Sequence, residues 1–452
     1  MTDVDFGELT AKLQTPESLI TDFTGFEQYL TDATDRQGRA TALVMADDEA
    51  DVVATVRFCA EHNLPLIPRG AGTGLSGGCV PVGSGIVLST ENLADISVFP
   101  QERTAVCGPG AITKDVANMA DSFGLAYPPD PASYDESTLG GNVAENAGGL
   151  RCKRFGVTRD YILGMRGVTA AGEIIQTGSY IGNRGFNLGD LLVGSEGTLV
   201  ILTEITVRLI EAPQPGLTVL VAFDRAPDAA RTVSDITAAG IIPTVMEFLD
   251  GDAAQCSNEY EKSEGLDDVA AILLIESGGN DSDRQAARIA EICESNRCSY
   301  LRTESEPEKA DQLWKIRRNL SRATKELAKV RVSEDVAVPN SKFPELVAFV
   351  ADMNRTSSVR INSYGHAGDG NLHVNFLSSS GSATDLETIE QAIDRLMAKT
   401  LALGGTLTGE HGIGLEKKKY LAAEFDSTTI LTMKGLKAIF DPFGLFNPGK
   451  IF

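Results

Sequence analysis

Residues 68–78 read Pro68-Arg69-Gly70-Ala71-Gly72-Thr73-Gly74-Leu75-Ser76-Gly77-Gly78 and follow the apolar run Leu64–Ile67, which predicts a short buried strand. Five glycines in these eleven residues allow consecutive backbone N–H groups to approach a pyrophosphate without interference from a Cβ atom. The stretch lacks the Gly-Lys-Ser/Thr ending of a Walker A loop, and its spacing differs from the Gly-x-Gly-x-x-Gly dinucleotide fingerprint. On spacing alone, a phosphate-binding loop and an ordinary turn both remain open.

Two later stretches favour a large ligand. Residues 128–149 contain prolines, small polar side chains and paired glycines with little periodicity, and loops of this length inside a domain are uncommon unless they have a function. Val193–Ile201 is also rich in glycine and ends in a predicted strand. We expect both stretches to lie against the ligand of the first glycine loop. The alternative is an ordinary long loop.

Three of the four histidines lie in two segments framed by glycine, Gly365–His373 and Gly409–Gly412. Two histidines and one carboxylate are a common ligand set for a divalent metal that keeps an open position for substrate. His366 and His373 therefore predict a metal site, which leaves His411 available for proton transfer. The alternative is that glycine-rich turns carry solvated histidines.

The spacing of the two predicted ligands excludes a continuous helix. Seven residues of helix would separate His366 from His373 by about 10 Å, whereas two nitrogens bound to one zinc-like ion lie within about 4 Å of each other. We therefore predict a turn at Gly368–Gly370 and a strand at Leu372–Phe376. Side chains two residues apart share a strand face, so Asn375 would reach into the site beside His373.

Length and charge limit the classes of protein to consider. A chain of 452 residues exceeds one ordinary core, so two or more domains are expected. The formal net charge of −23 argues against nucleic acid or an anionic membrane surface as the main partner. The seven cysteines are dispersed without a Cys-x-x-Cys pair, which excludes an iron–sulfur relay carried by this chain.

The sequence also predicts the compartment. Met1–Phe6 is acidic and has no apolar h-region. No run approaches the roughly 20 apolar residues of a transmembrane segment. We expect a cytoplasmic location, with peripheral membrane association as the second option.

Prolines and a glycine at Glu211–Gly216 mark a linker between two domains. Residues 1–212 are predicted as the first domain, which begins with a helical lead-in of about 35 residues. Residues 213–408 alternate strands with helices and predict a second α+β domain, with an amphipathic helix over Asp311–Lys329. Residues 409–452 form a separate C-terminal segment.

The first half of the chain resembles a known flavin domain. Arg69–Gly78, the Gly140-Gly141-Asn142 region and Gly194–Thr198 resemble the flavin domain of the vanillyl-alcohol oxidase superfamily. The second half carries motifs of one branch of that superfamily, the D-2-hydroxyacid dehydrogenases, in Gly365–His373, Gly409–Gly412 and Phe446–Lys450. That branch contains D-lactate dehydrogenases, the glycolate oxidase catalytic subunit and D-2-hydroxyglutarate dehydrogenases.

The resemblance implies an α+β fold. A two-part FAD-binding domain of the vanillyl-alcohol oxidase type would occupy residues 1–212, and an α+β cap domain that binds substrate would occupy residues 213–408. Residues 409–452 would return to the flavin site. FAD would be noncovalent, because superfamily members with covalent flavin usually carry a histidine in the first glycine loop and this loop has none. The resemblance assigns to FAD the residues Arg69, Gly70, Ala71, Gly72, Thr73, Gly74, Leu75, Ser76, Pro129, Asp130, Ser133, Thr138, Gly140, Gly141, Asn142, Asn146, Glu196, Gly197, Ile201 and Asn447.

The resemblance also implies the roles at the second site. It makes Glu410 the third metal ligand and His411 the catalytic base, and zinc suits this ligand set. The family has a substrate-binding arginine in the segment that here contains Arg317, which joins Asn375 as a predicted substrate contact. A 2-hydroxy acid would chelate the metal, lose its hydroxyl proton to His411 and transfer a hydride to flavin N5.

The resemblance leaves the substrate and the electron acceptor open. Hydroxyglutarate-specific relatives tend to carry a lysine ahead of an Asp-x-x-x-Pro motif, whereas Ser333-Glu334 precedes Asp335–Pro339 here. This departure favours D-lactate or glycolate, although Arg331 could replace the lysine. The acceptor would be a quinone, an electron-transfer flavoprotein, a cytochrome, an iron–sulfur partner or oxygen.

Other function classes fit part of the pattern. An alkyl-dihydroxyacetone-phosphate-synthase-like flavoenzyme would need a phosphate pocket and could dispense with the histidines and glutamate. A non-catalytic flavin electron-transfer subunit would keep the glycine loops and lose the second set of motifs. A zinc hydrolase would have no use for a cofactor loop near residue 70.

Overall fold

A computed structural model of the protein describes residues 4–178, 185–262, 268–279 and 281–452. The chain divides into two compact units. Unit 1 comprises the residues up to Gly148, Val157–Ala212 and Glu410–Phe452, and unit 2 comprises Gly149–Gly156 and Pro213–Gly409. The predicted first domain, 1–212, therefore loses Gly149–Gly156, because this segment packs through Leu150 on the apolar core of unit 2.

The secondary structure of the described residues is numbered here in chain order. The α-helices are α1 (Gly7–Thr10), α2 (Glu49–His62), α3 (Thr113–Asp121), α4 (Leu139–Glu145), α5 (Cys152–Phe155), α6 (Gly189–Leu192), α7 (Ala226–Ala238), α8 (Gly251–Tyr260), α9 (Ser282–Ser295), α10 (Pro307–Arg318), α11 (Leu320–Glu326), α12 (Phe343–Thr356), α13 (Ala383–Ala402), α14 (Leu421–Glu424) and α15 (Ser427–Phe440). The strands are β1 (Leu19–Ile20), β2 (Ala42–Met45), β3 (Leu66–Arg69), β4 (Ile86–Ser89), β5 (Ile96–Phe99), β6 (Thr104–Cys107), β7 (Leu125–Ala126), β8 (Ile162–Val168), β9 (Ile174–Gly178), β10 (Ile201–Arg208), β11 (Ile210–Glu211), β12 (Thr218–Phe223), β13 (Val245–Asp250), β14 (Ala271–Glu276), β15 (Tyr300–Glu304), β16 (Val330–Ala337), β17 (Arg360–Gly365) and β18 (Asn371–Ser378). None of these helices is both long and apolar enough to cross a membrane.

Unit 1 contains a small sheet that carries the first glycine loop. The strand order is β1-β2-β4-β3, and β2 and β3 both run parallel to β4. Helix α2 makes the crossover from β2 to β3: Asp48 caps its first turn by accepting the Asp51 N–H at 2.9 Å, and Asn63 ends it in the left-handed conformation (φ 51°). The chain after Arg69 therefore leaves β3 at its carboxyl end, where ligands bind in parallel sheets.

A second sheet in unit 1 supports α4. Its strands follow the antiparallel order β5-β6-β10-β8-β9, and β10 alternates buried and more exposed side chains. Leu139 and Val143 of α4 pack in one apolar core with Ile205 and Val207 of β10. Residues 128–149 are therefore not one long loop as expected: burial of two apolar side chains, one turn apart, stabilises a short helix within them.

The predicted helical lead-in was wrong. In its described part, from residue 4 onward, only α1, two 3₁₀ turns and β1 are regular. Leu9 and Leu13 are buried in the core of unit 1, which accounts for their helical spacing. Pro16 and Gly25 interrupt the pattern, and Pro16 instead begins a 3₁₀ turn.

Unit 2 is built on one antiparallel sheet with the strand order β15-β12-β14-β13-β17-β18-β16. The alternation of strands and helices in the sequence thus forms no parallel pairs in the described part of this sheet. The predicted helix over Asp311–Lys329 is two helices, α10 and α11, which meet at Asn319. Trp314 of α10 is buried, and its indole N–H donates to Thr218 Oγ1 of β12 at 3.1 Å, which fixes the helix on the sheet.

Candidate functional site

In unit 1 the first glycine loop lies against the start of α4. A Cβ atom on Gly70 would lie 3.3 Å from Thr138 Cβ and closer still to Thr138 Oγ1, so only glycine fits here. Thr138 itself caps α4, since Oγ1 accepts the Gly141 N–H at 3.4 Å. At Gly74, by contrast, no described atom lies within 4 Å of the position that a Cβ would take. This part of the loop therefore has the open space that a cofactor needs to approach the backbone.

All four segments assigned to FAD meet in unit 1. Gly194 and Glu196 donate their backbone N–H groups to carbonyls of α4 at 2.9 and 2.8 Å. The amide of Asn447 donates to the carbonyls of Gly78 and Glu196 at 2.9 and 2.8 Å. Segments that are up to 369 residues apart in the sequence thus form one cradle around the glycine loop.

Several side chains assigned to FAD make contacts within unit 1. These are Arg69 Nη1 with the Thr31 carbonyl (2.5 Å), Asn142 Nδ2 with Thr113 Oγ1 (2.7 Å) and Asn146 Oδ1 with the Arg159 N–H (2.9 Å). Arg69 also lies over the Tyr29 ring, 5.3 Å from its centroid. These side chains hold the loops in place. The hydroxyl of Ser76, in contrast, is buried without a hydrogen-bond partner among the described residues.

The other residues assigned to FAD lie in the same segments. Gly140 and Gly141 form the first turn of α4, Ile201 begins β10, and Pro129, Asp130 and Ser133 precede the Thr138 cap. A Cβ on Gly197 would lie 3.2 Å from the Asn447 amide, so this position is also closely packed. Ala71, Thr73 and Leu75 lie in the loop itself.

The segment that follows His411 is fastened to the same cradle. The Glu196 carboxylate accepts the N–H groups of Ile413 and Gly414 at 2.8 and 2.7 Å. The Ser76 carbonyl accepts the Leu415 N–H at 2.7 Å. His411 therefore lies two residues before a backbone segment that is fixed to the glycine loop.

Two carboxyl groups and one amine are buried beside this loop. Burial, with the charge of Glu196 added to it, raises the pKa of Glu145 well above its usual value. Burial also raises the pKa of Glu196, against the effect of its two backbone hydrogen bonds. It lowers the pKa of Lys450 to about 8, and Lys450 donates to the Gly78 carbonyl at 2.7 Å. Glu145 is thus the carboxyl group that is most readily protonated here.

In unit 2, β17 and β18 form a hairpin whose turn carries His366. A 3₁₀ turn at Ala367–Asp369 and a left-handed Gly370 (φ 72°) reverse the chain. The rings of His366 and His373 lie 5.4 Å apart, centroid to centroid, and perpendicular to each other. Both residues are buried, with 6% of their surface exposed. The predicted turn and strand are confirmed.

A buried carboxylate on β13 joins His366 to Arg317. Glu247 Oε1 lies 2.6 Å from His366 Nδ1, and Glu247 Oε2 accepts from Arg317 Nε at 2.5 Å. The Arg317 guanidinium also lies over the Tyr364 ring, 4.9 Å from its centroid. Burial alone would raise the pKa of Glu247, but the charges and hydrogen bonds of His366 and Arg317 outweigh it and lower the pKa to about 2. Arg317 is buried, and it has a protein partner there.

A second buried carboxylate faces His373. Asp335 of β16 is directly opposite His373 in the strand ladder, and its Oδ1 lies 3.8 Å from His373 Nδ1. Asp335 also accepts from Thr408 Oγ1 at 2.9 Å and from the Gly409 N–H at 2.8 Å. The backbone immediately before Glu410 is therefore fixed to the carboxylate beside His373.

Asn375 lies two residues beyond His373 on β18 and is fully buried. Its Nδ2 donates to Asn362 Oδ1 of β17 at 3.1 Å. Its Oδ1 is buried with no hydrogen-bond partner among the described residues. An oxygen of this kind suits a polar ligand, and the substrate role of Asn375 stays a prediction.

The residues of unit 2 fit a bound metal ion. Each of the two imidazoles turns Nδ1 toward a buried carboxylate, Glu247 or Asp335. Histidine ligands of metals ordinarily form a hydrogen bond through the ring nitrogen that does not bind the ion. His366 has this distance to Glu247, 2.6 Å, whereas His373 Nδ1 lies 3.8 Å from Asp335, beyond a hydrogen bond. Glu410 and His411 begin the C-terminal part of unit 1. Their roles beside the two histidines remain predictions.

Three residues of these sites, Glu247, Asp335 and Glu145, were not among the predicted site residues. Glu247 had a signal, because a charged residue inside the apolar run Val245–Leu249 must find a partner when it is buried. Asp335 was noted only as part of the Asp-x-x-x-Pro motif. Glu145 looked like an ordinary polar residue of a loop.

The chain matches two protein families and is similar in sequence to a glycolate oxidase subunit and a D-lactate dehydrogenase. Residues 40–178 match the family described as FAD binding domain, and residues 212–451 match FAD linked oxidases, C-terminal domain. The chain is 38% identical over 454 residues to the glycolate oxidase subunit GlcD of Bacillus subtilis, which covers 99% of this chain and 97% of that protein. It is 34% identical over 432 residues to the D-lactate dehydrogenase of Anaerostipes hadrus, which covers 92% of this chain and 90% of that protein.

The fold has a match among solved structures as well. The structure of p-cresol methylhydroxylase with substrate bound is similar, with a TM-score of 0.80 at 13% identity over 98% of this chain and 95% of that one. This likeness concerns the fold alone, and together with the family matches it confirms the predicted fold class. The chain belongs to the FAD-linked oxidases, with a two-part FAD-binding domain of the vanillyl-alcohol oxidase type and the C-terminal domain of that family.

Proposed function

We propose that this protein oxidises a D-2-hydroxy acid to the 2-oxo acid, with noncovalent FAD as hydride acceptor and one divalent metal, zinc, held by His366, His373 and Glu410. The observation that carries the proposal is the pair of buried histidines whose Nδ1 atoms each face a buried carboxylate. Relatives named glycolate oxidase subunit and D-lactate dehydrogenase support the substrate class. Electrons would then leave for an acceptor other than NAD.

The position of Glu410 supports its role as third ligand. Glu410 follows Gly409 in the chain, and the Gly409 N–H donates to Asp335 at 2.8 Å. Asp335 in turn lies 3.8 Å from His373 Nδ1. The backbone that enters Glu410 is thus anchored at the same carboxylate as one of the two histidine ligands.

The chain's own residues bind the substrate and move its proton. When bound, the metal supplies a Lewis acid for the substrate hydroxyl, and FAD supplies the hydride acceptor. His411 takes the hydroxyl proton, a task for which histidine suits neutral pH. Arg317 binds the substrate carboxylate, and Glu247 and Tyr364 hold its guanidinium in place. The burial of this arginine limits the access of water to it.

A small hydroxy acid, D-lactate or glycolate, is favoured over D-2-hydroxyglutarate. Arg331 is the residue that could replace the missing lysine for a second carboxylate. Its Nη1 instead donates to the Ser321 carbonyl at 2.8 Å and approaches Thr324 Oγ1 at 3.3 Å. Arg331 is thus engaged with α11, which supports the smaller substrate.

The test is anaerobic bleaching of the bound flavin by D- and L-2-hydroxy acids, before and after treatment with a chelator. We expect D-lactate or glycolate to bleach the flavin, the chelator to abolish bleaching, and zinc to restore it. Acid precipitation should release all of the flavin if FAD is noncovalent. A yellow protein that no 2-hydroxy acid bleaches would refute the proposal. It would favour an alkyl-dihydroxyacetone-phosphate-synthase-like flavoenzyme or a non-catalytic flavin electron-transfer subunit.

A further inference from the structure

Glu247 contacts two functional side chains at once. One oxygen lies 2.6 Å from His366 Nδ1, and the other accepts from Arg317 Nε at 2.5 Å. The glutamate is fully buried, and only 8% of each partner's side chain is exposed. These two contacts leave Glu247 facing the proposed metal ligand on one side and the proposed substrate anchor on the other.

The contact with Glu247 determines which nitrogen of His366 is left for a ligand. An ionised carboxylate only accepts hydrogen bonds, and a guanidinium only donates them. Nδ1 must therefore carry the proton that it shares with Glu247, so in the neutral ring Nε2 holds the lone pair that can bind an ion. Without this acceptor, the ring could take the other tautomer or rotate.

We propose that Glu247 is a positioning residue that sets the tautomer and orientation of His366 for metal binding and fixes the guanidinium of Arg317 for substrate binding. Glu247 itself would contact neither the metal nor the substrate. The inference rests on the proposed function, because it assumes a metal at His366. It adds that the metal and the substrate carboxylate depend on one buried side chain. Loss of Glu247 should therefore weaken both kinds of binding.

Asp250 supplies a matched control on the same strand. It is also buried in β13, where it accepts from the N–H and hydroxyl of Ser363 at 2.6 and 2.7 Å. It caps α8 as well, through the Ala253 N–H at 2.8 Å. Asp250 thus ties β13 to β17, whereas Glu247 ties β13 to the turn that follows β17, and Asp250 contacts neither His366 nor Arg317 in any described hydrogen bond.

The experiment measures zinc affinity by competition with a chelating dye, on the FAD-loaded full chain. We expect Glu247→Gln to weaken zinc binding by about 10- to 100-fold, the usual effect of losing such a partner of a ligand. We expect Asp250→Asn to bind zinc as the wild type does. An equal loss in both variants would overturn the inference, because general damage to β13 would then explain it.

A double variant separates positioning from the effect of an uncompensated charge. Glu247→Gln leaves Arg317 buried without its carboxylate. Glu247→Leu with Arg317→Met instead removes the charge on both sides and also removes the acceptor for His366 Nδ1. We expect zinc binding to stay weak in the double variant. Recovery of wild-type affinity would refute the tautomer argument.

A spectroscopic readout tests the tautomer directly. The chain has four histidines, so ¹⁵N-labelled imidazoles give few signals to assign. We expect His366 to be the Nδ1–H tautomer in the wild type and to lose this preference in Glu247→Gln. A wild type without stoichiometric zinc would refute the proposed function itself. A wild type with zinc, beside an equally tight Glu247→Gln variant, would overturn only the role of Glu247.

Discussion

Arg317→Met should destabilise unit 2 far more than the same change at the neighbouring Arg318. Both arginines are at the end of α10, and both form an ion pair. The pair of Arg317 with Glu247 is buried, with 8% and 0% of the side chains exposed. The pair of Arg318 with Asp311 is at the surface, with 48% and 58% exposed. Position in the helix is therefore matched, and burial is the variable that differs.

The magnitude follows from the environment of each pair. Removing one partner of a buried pair costs about 3–5 kcal/mol when the other charge is left uncompensated. Glu247 keeps its contact with His366 in Arg317→Met, so the loss should lie at the lower end of this range. Removing one partner of an exposed pair costs about 0–1 kcal/mol, because water solvates the remaining charge. In a unit of roughly 200 residues, the buried loss corresponds to a fall in Tm on the order of 10 °C.

The assay is thermal unfolding of the two variants and the wild type, followed by circular dichroism, with substrate-driven flavin reduction measured in parallel. Arg317→Met should also raise the substrate concentration needed for half-maximal bleaching, whereas Arg318→Met should leave it unchanged. If the two variants lower Tm equally, the larger loss of stability attributed to the buried Arg317–Glu247 pair is wrong. If Arg317→Met keeps the wild-type substrate dependence, Arg317 has only a structural role.

Three further predictions concern other residues of the cradle and the histidine centre. Gly412→Ala should lower flavin content and Tm, because Gly412 has φ +86° and an added Cβ would lie 3.0 Å from the Glu196 carboxylate. The control Gly435→Ala, in open space on α15, should instead raise the free energy of unfolding by up to about 1 kcal/mol. Equal flavin loss in both variants would contradict the prediction. Because its pKa is raised, Glu145 holds its proton more tightly in the folded protein than in the unfolded chain, so the wild type loses stability as pH rises above 4.5. Glu145→Gln should therefore gain stability relative to the wild type over that range. A difference in Tm between the two that does not change from pH 5 to pH 8 would contradict this prediction. Asp335→Ala should weaken zinc binding in the chelator competition, since it removes the carboxylate beside His373 and the acceptor for the Gly409 N–H; unchanged affinity would exclude the anchor.

Part of the local structure around the candidate site could be predicted, where local chemistry is decisive. The seven-residue spacing of His366 and His373 excluded a helix, and the structure has the turn and strand that were expected. The glycine loop after β3 was recognisable as a candidate phosphate-binding loop, but its spacing left an ordinary turn equally open, and only the family resemblance favoured flavin. The close approach of Gly70 to Thr138 excludes a Cβ at position 70, and no sequence pattern predicts this contact.

The remainder depended on contacts between distant residues. Glu247 lies 70 residues from Arg317 and 119 from His366, so no local pattern could join the three. Local patterns also failed to predict two helical segments correctly. Leu9 and Leu13 have helical spacing but pack in a core without a long helix. Leu139 and Val143, in contrast, belong to a helix within a glycine-rich stretch that had been expected to be a loop. In each case tertiary burial overrides local propensity.

The cradle of unit 1 also has consequences for the order of events during synthesis. The carbonyl of Gly78 receives hydrogen bonds from Asn447 and Lys450, at separations of 369 and 372 residues. Most of unit 2, Pro213–Gly409, lies between these partners in the sequence and can fold once residue 409 has left the ribosome, since domains generally fold as units during translation. The flavin loop, however, cannot be completed until residue 450 has emerged. Contacts of such high sequence separation form slowly, so FAD capture should be a late step. Until it occurs, the incomplete cradle should be open to proteolysis, most of all when flavin is scarce.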